Sequence, residues 1–171
     1  MLPVETGAVS PQGRGPCQKG TPLVTLPHHG RRIYFAYGSN LHLGQMRQRC
    51  PSARPLRTYV LADYRLAFRE FADIEPSPGE QVAGALYDVG PEDVAALDIY
   101  EGVEGGFYAQ VEHVMEDGTE MFFYRMPPGP VSPPTQAYLD IILAGLRDWN
   151  LPANRVLAAM EEATGRPCGA A

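Results

Sequence analysis

The spacing of apolar and polar positions predicts short strands in the middle of the chain and helices at its edges. Residues 32–37 are mostly aromatic or apolar and are halted by Gly38-Ser39-Asn40, which predicts a strand running into a turn. Residues 43–50 fit a short helix that stops before Pro51. Residues 58–68 are rich in branched and aromatic side chains and predict one or two strands. Residues 81–89 alternate, with Val82, Gly84 and Leu86 on one face and Tyr87 and Val89 on the other. Pro91 suits a first helical position, and Glu92 and Asp93 suit the positive end of the helix dipole, so a helix is expected to run to about Tyr100. Residues 108–115 and 120–126 predict a hairpin across the Asp117-Gly118 turn.

The strongest helical period is in residues 135–150, where Tyr138, Ile141, Ile142, Gly145, Leu146 and Trp149 share a face. Pro152 opens a further short helix toward Glu162. The sum is an α+β fold, a small closed or nearly closed sheet flanked by helices.

Two stretches lack such periodicity. Residues 1–30 hold ten Gly or Pro and read as a flexible extension, although residues 23–26 have the character of a short edge strand. A single domain is expected over residues 31–165, followed by a frayed tail at 166–171. The five prolines of residues 127–134 read as a loop between elements.

Charge narrows the function. The 171 residues carry a net charge of −6 with 14 basic side chains, which argues against a nucleic-acid partner. Lys19 is the one lysine, and it lies in the extension. Cys17, Cys50 and Cys168 form no CxxC pair, so neither a zinc site nor a disulfide framework is indicated; Cys50 reads as a small apolar filler. No apolar run approaches the roughly 20 residues of a membrane span, and the N-terminus lacks the pattern of a signal peptide. A cytoplasmic protein without a membrane partner is expected. His28, His29 and His113 make a poor metal site, since two of them sit in the extension.

Phosphate-loop, dinucleotide, zinc-protease and hydrolase-elbow motifs are absent. Three features remain. Ser39 follows a strand, but a nucleophilic serine needs an oriented base, and His42 has no evident partner. The turn Gly38-Ser39-Asn40 is better suited to presenting backbone N–H groups to a carboxylate or an oxyanion, and it can also be a plain turn. Glu101 stands at i+7 from Val94 and i+4 from Leu97, on the buried stripe and at the negative end of its helix. Both placements raise a carboxyl pKa toward the range useful for proton transfer. Asp98 and Glu104 are its rivals, Asp98 as a local hydrogen bonder and Glu104 as an exposed residue; a glutamate at a helix end can also be purely structural. Tyr108 and Tyr138 begin elements, where a phenol can meet a ligand or cap a core ring.

These residues resemble the gamma-glutamylcyclotransferase-like family. The opening Tyr34-Phe35-Ala36-Tyr37-Gly38-Ser39-Asn40-Leu41 is similar to its signature, and Leu97-Asp98 through Tyr100-Glu101-Gly102-Val103, then Tyr108, is similar to its catalytic segment. Cys50-Pro51-Ser52-Ala53, residues 61–68, residues 82–87 and residues 134–151 resemble the segments between and after. The resemblance implies a small mixed β-barrel with flanking helices. It implies an enzyme that cleaves a gamma-glutamyl amide into 5-oxoproline and a free amine or amino acid. Glu101 would be catalytic. Tyr37, Gly38, Ser39, Asn40 and Leu41 would cradle the substrate, and Tyr108 and Tyr138 would line its pocket.

The implied chemistry needs no protein nucleophile, because the substrate's α-amine attacks its own γ-carbonyl. It needs a base, an oxyanion donor and an acid, and one carboxyl can be base and then acid. No metal or organic cofactor is required. The alternatives are a non-catalytic binding module of the same fold, which would be free to lose Glu101, and a tailoring enzyme that removes a gamma-glutamyl group from a metabolite.

Overall fold

The computed structural model describes residues 30–165. The extension, apart from Gly30, and the tail lie outside the described residues, as do His28, His29, Cys17 and Cys168. Five strands form one sheet: β1 (Arg32–Ala36), β2 (Arg54–Arg69), β3 (Phe71–Val89), β4 (Ala109–Val114) and β5 (Glu120–Arg125), in the order β2-β3-β1-β5-β4. β1 lies at the centre, antiparallel to β3 and parallel to β5. Four helices flank the sheet: α1 (Leu43–Arg49), α2 (Pro91–Tyr100), α3 (Gln136–Asp148) and α4 (Asn154–Thr164).

The α+β class holds, but the expected barrel does not close: β2 and β4 remain edges. The strands expected at 58–68 and 81–89 are parts of a much longer hairpin, β2–β3, turning at Glu70 with φ of 66°. Residues 69–80 escape sequence reading because Pro76-Ser77-Pro78-Gly79 looks like a loop. Prolines enter strands at edges and bulges. Here Ala62 pairs with Gln81 and Tyr64 with Pro76, so residues 77–80 bow out opposite Asp63 alone. Asp63 closes the bulge by accepting from Gly79 N at 2.8 Å.

The core takes in the sheet and the inward residues of the helices, Met46 of α1, Leu97 of α2, Ile142 of α3 and Val156 of α4 among them. Phe35, Leu61, Ile74, Phe122 and Phe123 are fully buried, each worth about 1.5–3 kcal/mol of apolar burial. Leu139, Ile142, Gly145 and Leu146 are the buried residues of α3. Gly145 permits a close approach: a Cβ there would sit 2.6 Å from both His42 N and the Leu41 Cβ. That contact sets α3 against the 3-10 turn Ser39–Leu41 that follows β1. Trp149 Nε1 donates to Leu41 O at 2.9 Å and Leu43 N donates to the Asp148 carboxylate at 2.9 Å, so the turn is fastened to the end of α3.

Candidate active site

The turn after β1 and the end of α2 meet across a cavity of about 350 Å³. Its lining combines Tyr34, Tyr37, Gly38, Ser39 and Asn40 with Glu101, Gly102, Tyr108 and Tyr138. Phe71, Ala72, Tyr100, Phe107 and Tyr124 complete the wall. Leu41 is placed elsewhere: its side chain is fully buried against α3 and it does not line the cavity. The turn needs an apolar anchor, and Leu41 supplies it.

Local chain chemistry explains how Glu101 arrives. α2 ends in a paired capping arrangement, with Val103 N donating to Asp98 O at 3.0 Å and Gly102 N to Ile99 O at 3.2 Å. Gly102 takes φ of +64°, which glycine adopts without Cβ strain. Glu101 is the residue just before it, the C-cap of α2. Its Oε1 accepts from Asn40 Nδ2 at 2.9 Å. Burial pushes its carboxyl up to about 7, against the opposing pull of the Arg49 guanidinium and the Asn40 hydrogen bond.

Asn40 is held on both polar atoms of its side chain. Its amide also donates to Tyr34 Oη at 2.9 Å, and its carbonyl oxygen accepts from Arg49 at 2.5 Å. With Arg49 on the oxygen, the amide nitrogen must face Glu101. Arg49, the last residue of α1, also donates to Gln45 and to Tyr100 Oη, both at 2.6 Å. Arg49 escaped the sequence reading because it looks like an ordinary basic residue at a helix C-terminus.

The phenols differ in what they have to offer. Tyr37 donates to Tyr124 O, Tyr108 to Ala72 O and Tyr124 to Asp98, each at 2.7 Å. Tyr138 Oη instead accepts from Ala72 N at 3.3 Å and neighbours the Ser39 hydroxyl, while Tyr34 Oη accepts from Asn40 and its own O–H meets no acceptor among the described residues. Burial raises all five phenol pKa values, that of Tyr138 to about 12, which keeps them protonated donors at neutral pH. The N–H groups of Gly38, Ser39 and Asn40 likewise meet no acceptor among the described residues, as at the start of any helical turn.

The rivals fall away from the cavity. Asp98 accepts from Gln110 Nε2 at 2.6 Å and from Tyr124, and Glu104 is exposed; neither lines the wall. Ser39 Oγ neighbours Tyr100 Oη and Arg49, while His42 Nδ1 accepts from Gly44 N at 3.0 Å and caps α1. No base is aimed at the serine. Cys50 is a free, buried thiol, pushed up to about 12 by burial. Among the described residues no group of His, Cys, Asp and Glu is arranged to hold a metal ion, and no helix is long and apolar enough to cross a membrane.

Comparison with known proteins finds relatives over most of the described chain. The family model described as gamma-glutamyl cyclotransferase, AIG2-like, matches residues 34–150. A gamma-glutamylcyclotransferase of Homo sapiens is 32% identical over 145 residues, covering 75% of this chain and 77% of the relative. One of Bos taurus is 31% identical over 136 residues, covering 70% and 72%. A solved structure named gamma-glutamyl cyclotransferase superposes with a TM-score of 0.65 at 29% identity, covering 81% of this chain and 90% of that one.

Proposed function

The chain belongs to the gamma-glutamyl cyclotransferase, AIG2-like family and is an enzyme of that type, and from this premise we propose that the cavity beside Glu101 is where it cleaves gamma-glutamyl amides. The products are 5-oxoproline and the free amine or amino acid.

One observation carries the assignment. Glu101 is the sole carboxyl lining the cavity among the described residues, and burial brings it to about 7. An acid with that pKa exists in both forms at neutral pH and suits proton transfer in each direction. As carboxylate it takes a proton from the substrate's α-ammonium. The freed amine attacks the γ-carbonyl, forming the ring C–N bond. The tetrahedral intermediate then collapses: the original amide C–N bond breaks as Glu101 gives its proton to the leaving nitrogen, and the second proton of the new ring nitrogen passes through the regenerated carboxylate to the released amine. The N–H groups of Gly38, Ser39 and Asn40 hold the α-carboxylate, and the O–H of Tyr138 donates to the oxyanion. The substrate's own amine is the nucleophile and Glu101 carries the proton, so no step calls for a metal. Holding the glutamyl chain folded supplies the advantage of an intramolecular reaction, up to roughly 7–11 kcal/mol for ideal orientation. The same proposal places the protein in the cytoplasm, acting on a small molecule.

Product analysis tests the proposal. Incubation with γ-L-glutamyl-L-alanine is expected to release alanine and 5-oxoproline in equal amounts. Release of glutamate in place of 5-oxoproline means that water attacks, and the cyclising mechanism is wrong. No release from any gamma-glutamyl amide means a binding module.

A further inference from the structure

The cavity wall changes character from floor to mouth. Tyr34, Tyr37, Tyr108 and Tyr124 are buried at the floor, as are Ser39 and Asn40. Phe71 is 39% exposed and Phe107 54% exposed, on the same wall. Phe71 stands edge-on to Phe107 at 6.4 Å and to the ring of Tyr138 at 5.3 Å. The three rings come from separate segments: the start of β3, the turn before β4 and the first turn of α3. Gly102 lets Phe107 lie close, since a Cβ there would be 3.1 Å from the Phe107 Cβ. Large apolar rings grouped in water at the rim of a cavity are informative in a way that scattered ones are not.

Given the proposed reaction, on which this step rests, substrate direction follows. The glutamyl end is held by the buried turn, so the leaving amine points outward from Glu101 to the mouth. No Lys, Arg or His lines the cavity among the described residues. A charged side chain on the leaving group would lose hydration there without gaining a partner.

We infer that Phe71, Phe107 and the ring of Tyr138 form a leaving-group subsite that selects gamma-glutamyl amides of amines or amino acids bearing an aromatic ring. The ring seats edge-on among the three, replacing water on their exposed faces.

A competition series tests this on the full chain. The substrates are γ-L-glutamyl-L-phenylalanine, γ-L-glutamylphenethylamide, γ-L-glutamylglycine and γ-L-glutamyl-L-glutamate, with 5-oxoproline as readout. Burying one phenyl ring among others corresponds to at least about tenfold in kcat/KM, so the two aromatic substrates are expected to exceed the glycine compound by that factor. The glutamate compound should be the poorest. Equal rates for the phenylalanine and phenethylamine compounds indicate that the ring alone is read; a faster phenylalanine compound adds recognition of its carboxylate, and both support the subsite. In Phe71→Ala and Phe107→Ala the ratio of phenylalanine to glycine compound should fall toward one. That ratio is taken within each variant, so a loss of folded protein does not alter it. Turnover of all four at similar rates, or a ratio untouched by both substitutions, overturns the subsite and leaves the cyclotransferase reading intact. Absence of 5-oxoproline from every compound overturns both.

Discussion

Two carboxyls, the fully buried Asp73 and the half-buried Glu101 on the cavity wall, have different fates. Burial raises the pKa of each. Asp73 answers with a full set of partners: one oxygen accepts from Met126 N at 2.9 Å, the other from Arg69 at 2.7 Å. Glu101 has one hydrogen bond, from Asn40, and its second oxygen accepts from nothing among the described residues. A saturated buried acid fastens the strand β3 to the end of β5. A half-satisfied one beside a cavity keeps an oxygen for the substrate's proton. Burial alone therefore does not distinguish structure from chemistry; the count of donors does.

The largest expected effect breaks the contrast at Glu101. Glu101→Gln keeps the shape but cannot exchange a proton, and general acid–base assistance is worth about 10²–10⁴. Turnover should fall at least about 10²-fold, with Tm unchanged or higher, because a neutral amide is easier to bury. Asp98→Asn and Glu104→Gln are the controls and should keep most activity. If a control loses turnover and Glu101→Gln does not, the acid–base role belongs to that neighbour.

Next come the two phenols on Ala72. Tyr138→Phe removes a donor on the cavity wall and should lower kcat by roughly 10²-fold, the scale of a lost oxyanion donor. Tyr108→Phe removes a hydroxyl already engaged by Ala72 O, and should cost about 1 kcal/mol of stability with a smaller loss of rate. Steady-state kinetics with thermal melts separates them, and the reverse order would reassign the donor.

Asp73→Asn tests the structural acid. It removes the charge facing Arg69 and sets an amide against Met126 N or Arg69. A loss of roughly 1–3 kcal/mol is expected, seen as a lower Tm. The soluble protein should turn over at close to the parental kcat; a severe loss would give Asp73 a part in the chemistry.

The smallest effect lies in pH dependence. Glu101 must be ionised to accept the proton, so kcat/KM should rise with pH through about 7. Stability should move the other way. The folded carboxyl holds its proton up to about 7 while the unfolded one releases it near the ordinary 4.5, so Glu101 progressively destabilises the fold between those values. Glu101→Gln removes that decline. Arg49→Met withdraws the nearby positive charge and should move the rising limb of kcat/KM to higher pH. An unmoved limb would mean that Arg49 does not act on Glu101.

Much of this molecule was legible as pattern. The strand into Gly38-Ser39-Asn40, the Asp117-Gly118 hairpin, the Pro91 helix start and the period of α3 each follow from interactions within a few residues. The position of Glu101 at a helix end was equally local, because Gly102 marks the stop. Residues 69–80 were hidden, since their strand identity comes from pairing with β2 across a bulge that neighbouring residues do not encode.

The sequence by itself determined the helices and the short strands, where α2 stops and which carboxyl stands at that stop, because propensity, capping and period act over one or two turns. Only the tertiary structure decided that Leu41 anchors the turn while Asn40 faces the cavity, that Arg49 orients Asn40, and that Phe71 meets Phe107. Those are contacts between segments many residues apart, and their geometry exists only once α3 has closed on the turn after β1 and the long hairpin has folded across the sheet.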